Sequence, residues 1–230
     1  MIKALLFDKD GTLFDFGATW ETWAESFLLR LCNGDRSEAA SIGQILGFDL
    51  ATSRFDPGSV VIAGTPEDIA KALEKPLKNK ALSAEYVIGL LNEEAAHTPQ
   101  VEAVELVPYL DHLRSHGLKL GVATNDAEAP ALAHLGAAGV VGKFDFIAGF
   151  DSGHGAKPGP GQLLAFCDAV NLVPEQVAMV GDSTHDLIAG AAAGMRRVAV
   201  LTGMATRADL TPYADIVLPD IGHIPAWLGL

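Results

Sequence analysis

The sequence predicts an α/β protein: a doubly wound parallel-sheet core into which a small α-helical cap domain is inserted. Residues 2–7 form an apolar run that ends at Asp8, as a buried strand does. From about residue 105 onward, short apolar runs alternate with segments whose apolar residues recur at helical spacing. Residues 16–98 between them show helical spacing and no convincing strand. Alternating strands and helices build a parallel sheet covered on both faces.

The inserted segment, residues 16–99, is predicted to be the cap domain. Helical spacing of apolar residues predicts helices over about 20–31, 37–47 and 83–96. Thr65 has the pattern of an N-cap residue before Pro66 and predicts a further helix that ends near residue 73. Residues 48–64 are rich in turn formers and are predicted to form a loop.

The core is predicted to comprise residues 1–15 and 100–230. Beyond the first strand, its strands are expected at about 118–124, 146–149, 177–181, 198–202 and 216–218. Its helices are expected at about 107–116, 127–138, 160–170 and 184–193. Parallel strands place their carboxyl ends at one edge of the sheet, where open α/β sheets bind their ligands. The residues that follow these strands are therefore the candidate site.

Composition limits the classes of partner. The chain has 230 residues, of which 49% are hydrophobic, and a formal net charge of -13. This charge argues against duplex nucleic acid or an anionic membrane as a main partner, although a metal ion and a lysine can still attract a small anion locally. Two distant cysteines, Cys32 and Cys167, do not make a disulfide framework, and no signal peptide or membrane span is recognised. A cytoplasmic protein is expected, and no pattern predicts its oligomeric state.

Polar residues follow four of the predicted strands. In chain order they are Asp8, Asp10, Gly11 and Thr12; Thr124 and Asn125; Lys157; and Asp182, Ser183 and Asp186. Several carboxylates together favour a hard cation such as Mg²⁺, and lysine binds phosphate as a point charge. Hydroxyl and free backbone N–H groups bind phosphoryl oxygens, and an aspartate can attack phosphorus to form an acyl phosphate. The set therefore indicates phosphoryl transfer.

In order and spacing, these motifs resemble those of the haloacid dehalogenase superfamily of phosphohydrolases. The matching segments are Asp8-Lys9-Asp10-Gly11-Thr12, Thr124-Asn125, Lys157-Pro158 and Gly181-Asp182-Ser183-Thr184-His185-Asp186. The resemblance covers the whole core, and the helical insertion lies where the type-one cap of that family lies. The segments Met179-Val180-Gly181-Asp182-Ser183 and Ala191-Ala192-Ala193-Gly194-Met195 are most similar to the phosphoglycolate phosphatase-like group.

The resemblance implies catalytic roles for three residues. Asp8 would attack phosphorus and become the aspartyl phosphate. Asp10 would protonate the leaving oxygen and later deprotonate water. Lys157 would steady Asp8 and the charge of the phosphoryl group.

The resemblance also implies binding roles. Thr124 and the backbone of Asn125 would hold the phosphoryl group, while Gly11 and Thr12 would support the loop. The implied ligands of Mg²⁺ are Asp8, the carbonyl of Asp10, and Asp182, with Asp186 either as a ligand or behind one. Asp186 could instead simply cap the helix that follows it.

The function predicted on this basis is Mg²⁺-dependent hydrolysis of a small phosphorylated metabolite, similar to phosphoglycolate, through an aspartyl phosphate. A sugar phosphomutase similar to β-phosphoglucomutase would share every core motif and stays open. A 2-haloacid dehalogenase needs neither a metal nor a second acid, so Asp10 counts against it. A phosphoaspartate signalling module would be shorter and lack a cap, and a binding protein on an inactive core would lack a motif residue.

Lys9 and the pair His112 and His116 are expected to lie on the surface, outside the candidate site. Lys9 is predicted to be a surface lysine, because strand alternation would turn it away from Asp8 and Asp10. His112 and His116 lie four residues apart on a predicted helix and are expected to face solvent rather than bind a metal.

The cap carries two further candidates. Trp20, Trp23 and Phe27 form a stripe at helical spacing that is expected to pack the interior of the cap, with substrate contact as the alternative for Trp20. Arg54 is expected to be solvated, with a substrate carboxylate as its alternative partner.

Overall fold

The computed structural model describes residues 1–56, 58–78 and 82–230. These residues form two compact units. The core unit consists of Met1–Gly17 and Gln100–Leu230, and the cap unit consists of Ala18–Pro99.

The secondary structure alternates along the core and is mainly helical in the cap. The strands are β1 (Ala4–Phe7), β2 (Phe48–Asp49), β3 (Arg54–Phe55), β4 (Lys119–Ala123), β5 (Phe146–Ala148), β6 (Val177–Gly181), β7 (Arg196–Val200) and β8 (Ile216–Leu218). The helices are α1 (Phe16–Leu31), α2 (Arg36–Leu46), α3 (Val60–Ala63), α4 (Pro66–Leu73), α5 (Ala84–His97), α6 (Leu106–Ser115), α7 (Glu128–Ala137), α8 (Gly161–Val170), α9 (Thr184–Ala193), α10 (Arg207–Leu210) and α11 (Ile224–Leu228). Short 3-10 helices cover Val141–Lys143, Pro174–Gln176 and Ile221–His223.

A six-stranded parallel sheet organises the core unit, in the spatial order β5-β4-β1-β6-β7-β8. Strand β1 lies inside the sheet, where Phe7 pairs with Val122 of β4 on one side and with Val180 of β6 on the other. On one side of β1 the sheet continues with β4 and β5, and on the other side with β6, β7 and β8. At such a point a crevice forms beyond the carboxyl ends of the strands. The predicted fold class is confirmed.

Both faces of β1 are covered, which explains why its sequence is apolar without alternation. Leu5 and Phe7 pack in one layer with α6 residues such as Leu110. Ala4 and Leu6 pack in the opposite layer with residues of α8 such as Phe166. All four strand residues are fully buried. The strand thus fixes where the next residue, Asp8, leaves the sheet.

The predicted core elements are confirmed to within about two residues at most ends. Strand β7 begins at Arg196, two residues earlier than expected, because the charged pair Arg196-Arg197 hides the start of the apolar run. Helices α10 and α11 are too short to show a helical repeat and were not predicted. None of the described helices combines the length and the apolar character needed to cross a bilayer.

In the cap unit, the expectation of a strand-free loop over residues 48–64 is wrong. Strands β2 and β3 form a short antiparallel ribbon, in which the rings of Phe48 and Phe55 lie 4.8 Å apart. Helix α3 follows, with the hydroxyl of Ser59 accepting a hydrogen bond from the N–H of Val61. Strands of two residues are too short to produce an alternating pattern, so turn-forming residues dominate the sequence signal.

The remaining cap expectations agree with the structure, except that α1 begins at Phe16, four residues earlier than expected. Helix α4 begins with the predicted N-cap, and Thr65 and Asp68 bond each other reciprocally as a capping box. Trp20, Trp23 and Phe27 are buried, with ring centroids 5.0 Å and 5.4 Å apart along α1. The stripe is therefore interior packing, as expected.

Three basic side chains lie on the surface, as expected. Arg54 is 72% exposed and forms an ion pair with Glu21 at 2.9 Å. His112 and His116 are exposed, and Nδ1 of His116 lies 2.9 Å from the carbonyl oxygen of His112.

Candidate active site

A tight turn follows β1 and positions the first motif. The carbonyl of Lys9 accepts hydrogen bonds from the N–H groups of Leu13 (2.9 Å) and Phe14 (3.1 Å). Gly11 adopts φ +78°, a conformation that side chains disfavour, and its carbonyl accepts a hydrogen bond from the hydroxyl of Thr202 at 2.6 Å. A Cβ atom on Gly11 would collide with the carboxylate of Asp182. The glycine is therefore required for the close approach of this turn to the loop after β6.

Three carboxylates meet beyond the carboxyl ends of β1 and β6. Oxygens of Asp8, Asp182 and Asp186, which we call the acidic cluster, all lie within 4.8 Å of one another. All three residues are buried. Asp8 and Asp182 directly follow their strands, and Asp186 lies in the first turn of α9. The sheet thus brings together residues that are more than 170 positions apart in sequence.

Lys157 joins the acidic cluster from the loop that follows β5. Its Nζ donates hydrogen bonds to one oxygen of Asp8 and one oxygen of Asp186, each at 2.6 Å. The lysine is itself 4% exposed, so both ion pairs are sheltered from water. Charge-assisted bonds of this length are strong and hold their partners in a fixed geometry.

One ammonium does not balance three carboxylates, and the pKa values show the imbalance. Burial raises the pKa of Asp8 to about 7, and the charges of Asp186 and Asp10 add to this effect against the opposing pull of Lys157. Burial, followed by the charges of Asp8 and Asp186, raises the pKa of Asp182 well above its ordinary value. In the case of Lys157, burial alone would lower the pKa, but the neighbouring charges of Asp186 and Asp8 outweigh burial and raise it.

The acidic cluster could hold a metal ion. A buried group with excess negative charge and three convergent carboxylate oxygens has the donor chemistry that hard divalent cations prefer. A bound cation would remove the mutual repulsion that raises the pKa values of Asp8 and Asp182. The residues present therefore fit a divalent metal.

Asp186 both caps α9 and belongs to the acidic cluster. Its Oδ2 accepts hydrogen bonds from the N–H (3.1 Å) and the hydroxyl (2.7 Å) of Ser183, which completes a capping box at the start of α9. Its Oδ1 contacts Lys157. The capping bonds thus orient a carboxylate whose other oxygen belongs to the acidic cluster.

The second motif supports the site from β4. Thr124 is buried, and its hydroxyl accepts a hydrogen bond from the N–H of Asp126 at 3.0 Å. The side chain of Asn125 bonds the backbone of Lys157 at both its N–H and its carbonyl group. Thr12, from the first motif, is buried with its hydroxyl 3.5 Å from Asp182.

Sequence reasoning missed Gln162 in α8. Its fully buried side chain donates hydrogen bonds to the carbonyl oxygens of Thr124 (3.1 Å) and Gly155 (3.0 Å). It therefore links the loop after β4 to the loop that carries Lys157. The sequence feature that could have identified Gln162 is a single amide side chain among the apolar positions of a predicted helix.

The prediction that Lys9 lies on the surface is wrong. Lys9 is fully buried, and its Nζ lies 2.6 Å from Oδ1 of Asp10, 3.0 Å from Nδ1 of His134 and 3.4 Å from Oδ2 of Asp126. Strand alternation does not apply to it, because β1 ends at Phe7 and Lys9 belongs to the turn. Burial would lower the pKa of Lys9, but the carboxylates of Asp10 and Asp126 hold that pKa above its ordinary value.

Asp126 and His134 were also not predicted. Asp126 precedes α7, and burial raises its pKa to about 6 despite the nearby charge of Lys9. His134 is 2% exposed on the inner face of α7. In the sequence, Asp126 follows Asn125 at the end of a strand and resembles an ordinary residue at the start of a helix. Only the knowledge that Lys9 is buried could have identified Asp126 and His134 as its partners.

The fold and the site together define an α/β protein with an acidic centre at the carboxyl edge of its parallel sheet, and comparison with known proteins gives its family. Residues 2–194 match the family model of the haloacid dehalogenase-like hydrolases. The chain belongs to this family.

Individual relatives resemble the chain over most of its length. The chain is 29% identical over 224 residues to a phosphoglycolate phosphatase of Nitrosospira multiformis, a match that covers 96% of this chain and 92% of that one. It is also 29% identical to the pyrophosphatase PpaX of Bacillus mycoides, with 97% and 95% covered. The predicted enzyme class, a phosphatase, is confirmed.

A solved structure shows the same fold. The crystal structure of a predicted phosphoglycolate phosphatase from Haemophilus somnus has a TM-score of 0.74 at 20% identity, and the match covers 99% of this chain and 98% of that chain.

Proposed function

We propose that this phosphatase is a Mg²⁺-dependent phosphomonoesterase that hydrolyses a small phosphorylated metabolite through an aspartyl phosphate on Asp8. The observation that carries the proposal is the contact between Lys157 and the acidic cluster. A buried carboxylate held by an ammonium, beside two further carboxylates, combines a nucleophile with charge neutralisation at one place.

In the first step, an oxygen of Asp8 bonds to phosphorus as the bond between phosphorus and the ester oxygen breaks. Asp10 gives its proton to the departing oxygen, so the alcohol leaves neutral. Lys157 keeps its charge beside Asp8 and compensates part of the charge on the phosphoryl group. Thr124 and the backbone N–H of Asn125 bind phosphoryl oxygens.

In the second step, water attacks the phosphorus of the aspartyl phosphate. Asp10, now a carboxylate, accepts a proton from this water as the new phosphorus–oxygen bond forms. The bond between phosphorus and Asp8 breaks, and inorganic phosphate leaves. Asp8 is again a carboxylate and Asp10 is again protonated, so the cycle is balanced.

The metal part of the proposal assigns Mg²⁺ to Asp8, Asp182 and the carbonyl of Asp10, with Asp186 beside them. When bound, the ion supplies positive charge to the phosphoryl oxygens. The excess negative charge of the acidic cluster supports this assignment. Gly11 and Thr12 contribute by shaping the turn that carries Asp10.

The substrate class is proposed from the relatives. One of them is a phosphoglycolate phosphatase and another a pyrophosphatase, which supports a small phosphorylated compound and, within that class, one similar to phosphoglycolate. A net charge of -13 makes nucleic acid and anionic membranes poor partners and agrees with a cytoplasmic location. The two compact units support the predicted division into a core, 1–15 with 100–230, and a cap, 16–99.

The test is phosphate release from a panel of small esters that includes phosphoglycolate, pyrophosphate and 4-nitrophenyl phosphate. Each compound is measured with Mg²⁺ and with excess EDTA. We expect metal-dependent release that favours one compound, and none from Asp8→Asn. Interconversion of sugar phosphates without net release would show a phosphomutase instead, and undiminished activity in EDTA would refute the role of the metal.

A further inference from the structure

A buried cationic side chain lies directly behind the proposed acid–base residue. Lys9, Asp10, Asp126 and His134, which we call the Lys9 cluster, bring one ammonium, two carboxylates and an imidazole together. The shortest contact of Lys9 is with Asp10, at 2.6 Å. Asp10 is the member of this cluster that keeps the largest exposed side-chain fraction, 15%, against 0% for Lys9 and 8% for Asp126. The cluster is thus closed except at Asp10.

The geometry leaves the ammonium of Lys9 little freedom. An ammonium has three donors and no acceptor, and Lys9 directs two of them at acceptors on Asp10 and His134, while Asp126 forms an ion pair with it at 3.4 Å. Because Nδ1 of His134 faces a group that only donates, Nδ1 accepts and the ring proton is on Nε2. The side-chain Nε2 of Gln100 lies 3.4 Å from Nε2 of the same ring. The contact with the ammonium makes Nδ1 of His134 an acceptor for Lys9.

The backbone of Lys9 is fixed as well. Its carbonyl accepts hydrogen bonds from Leu13 and Phe14, so the turn holds the residue at one end while Asp126 and His134 hold the side chain at the other. The ammonium is therefore a rigid support for Oδ1 of Asp10. Proton transfer needs only one carboxyl oxygen, so a bond to Oδ1 leaves Oδ2 for the reaction.

Stability does not explain this arrangement. Buried ion pairs are often replaceable by apolar residues of similar volume without loss of stability. A buried lysine that ends on a motif carboxylate is better explained by what it does to that carboxylate.

We propose that Lys9 is a positioning residue, which, held by Asp126 and His134, fixes the carboxyl group of Asp10 in the orientation that serves proton transfer. This inference rests on the proposed function, in which Asp10 exchanges the proton with the leaving oxygen. Lys9 itself does not touch the reacting atoms. It acts only through Asp10.

The test is a double-mutant cycle with Lys9→Met and Asp10→Asn, measured as kcat/KM. Met keeps most of the length of the side chain, being one heavy atom shorter, and removes its charge. On an alkyl phosphate, whose leaving group needs a proton, we expect Lys9→Met to lower kcat/KM about 10- to 100-fold. On 4-nitrophenyl phosphate, whose leaving group needs none, we expect less than about a 3-fold loss. In the Asp10→Asn background, Lys9→Met should cost less than about 2-fold, because residues that act as one unit are not additive.

Three results of this cycle would overturn the inference. One is an equal loss by Lys9→Met on both esters, which indicates general damage to the site. Another is a cycle in which the two losses multiply, which means that Lys9 does not act through Asp10. Unchanged kcat/KM in Lys9→Met on both esters would overturn it as well.

Control variants separate this inference from folding and from the proposed function. Lys119→Met makes the same change at a half-exposed lysine of β4 that pairs with Asp145, and it should leave kcat/KM unchanged. If circular dichroism shows that Lys9→Met does not fold, His134→Gln replaces it in the cycle. We then expect a smaller loss of kcat/KM with the same dependence on the leaving group. An active Asp8→Asn would sink the proposed function. The inference alone would fail under a different combination of results. In that case Asp8→Asn is inactive and the loss in Asp10→Asn depends on the leaving group, but the loss in the Lys9 or His134 variant does not.

Discussion

The side chain of Asn125 holds the backbone of Lys157 by two hydrogen bonds. Its Oδ1 accepts from the N–H of Lys157 at 2.8 Å, and its Nδ2 donates to the carbonyl of Lys157 at 2.9 Å. The residue after β4 thereby sets the position from which the ammonium reaches Asp8 and Asp186. A predicted phosphate-binding residue is thus also a support of the predicted catalytic lysine.

We expect Asn125→Ala to lower kcat about 10- to 100-fold, because a small displacement of a catalytic group has a large effect on rate. It should also cost about 1–3 kcal/mol of stability, since two backbone groups lose their partners. Asn125→Asp keeps the acceptor and loses the donor, so its losses should be intermediate. Steady-state kinetics and urea unfolding measure the two effects, and a kcat equal to that of the native protein would show that the clamp is dispensable.

The two aspartates of the first motif should fail in different ways. Asp8→Asn removes the proposed nucleophile, and we expect kcat to fall roughly 10⁴-fold or more, with no phosphorylated protein. Asp10→Asn removes the acid–base group, and we expect a fall of about 10²- to 10⁴-fold, because both formation and hydrolysis of the aspartyl phosphate slow down. Intact-protein mass spectrometry after acid quenching distinguishes the two, and a phosphorylated Asp8→Asn protein would contradict the assignment of the nucleophile.

Stability and activity should respond to Asp182→Asn in opposite directions. Without metal, the substitution removes one of the charges that repel each other in the acidic cluster, so the melting temperature in EDTA should rise. Mg²⁺ should raise the melting temperature of the native protein by binding the folded state, and should do so much less in Asp182→Asn. Activity should fall despite the gain in stability. An equal response of both proteins to Mg²⁺ would remove Asp182 from the metal site.

Gly11→Ala should be destabilising by about 1–3 kcal/mol, because the residue adopts φ +78° and a Cβ would collide with Asp182. Gly117→Ala is the matched control: this residue has φ +80° but a Cβ there meets nothing within 4 Å, so it should show only the smaller cost of the backbone conformation. Urea unfolding of the two variants gives the comparison. Equal stabilities would show that the turn relaxes away from Asp182.

Asp126 should make the native protein less stable as the pH rises. Its pKa lies near 6 in the folded protein and near its ordinary value of 3.8 when unfolded, because folding buries it. Between about pH 4 and 6 the folded state therefore holds a proton that the unfolded state has released, and the contribution of this group to stability falls as pH increases. Relative to Asp126→Asn, the free energy of unfolding should decline over this window and level off above it.

Urea unfolding in EDTA at several pH values from 4 to 7 measures the difference. A difference that grows in favour of the native protein with rising pH would show that Lys9 dominates the environment of Asp126.

The sequence predicts the elements whose apolar residues recur at regular spacing. It misses the elements that form only by pairing with another segment of the chain. The strand before Asp8 shows an apolar run, and the helix after Ser183 begins with capping residues. Both elements were therefore located correctly. Strands β2 and β3 are too short to carry a repeat. Their pairing depends on contact between two aromatic rings, which no local pattern encodes.

The same distinction applies to the site. The placement of Asp8, Lys157 and Asp182 follows from the rule that parallel strands end at one edge. The environment of Lys9 does not follow, because its partners Asp126 and His134 come from residues far along the chain. A lysine in a turn is ordinarily solvated, and only the assembled sheet shows that this one is surrounded.

The central place of β1 has a consequence for biosynthesis. Strand β1 needs partners on both sides, one in β4 and one in β6, and β6 ends only at Gly181. Until Gly181 has been translated, one edge of this apolar strand has no neighbour and is exposed to unwanted association. Asp8, Lys157, Asp182 and Asp186 therefore come together only late in synthesis, and a chain that ends before Asp182 lacks a complete acidic cluster.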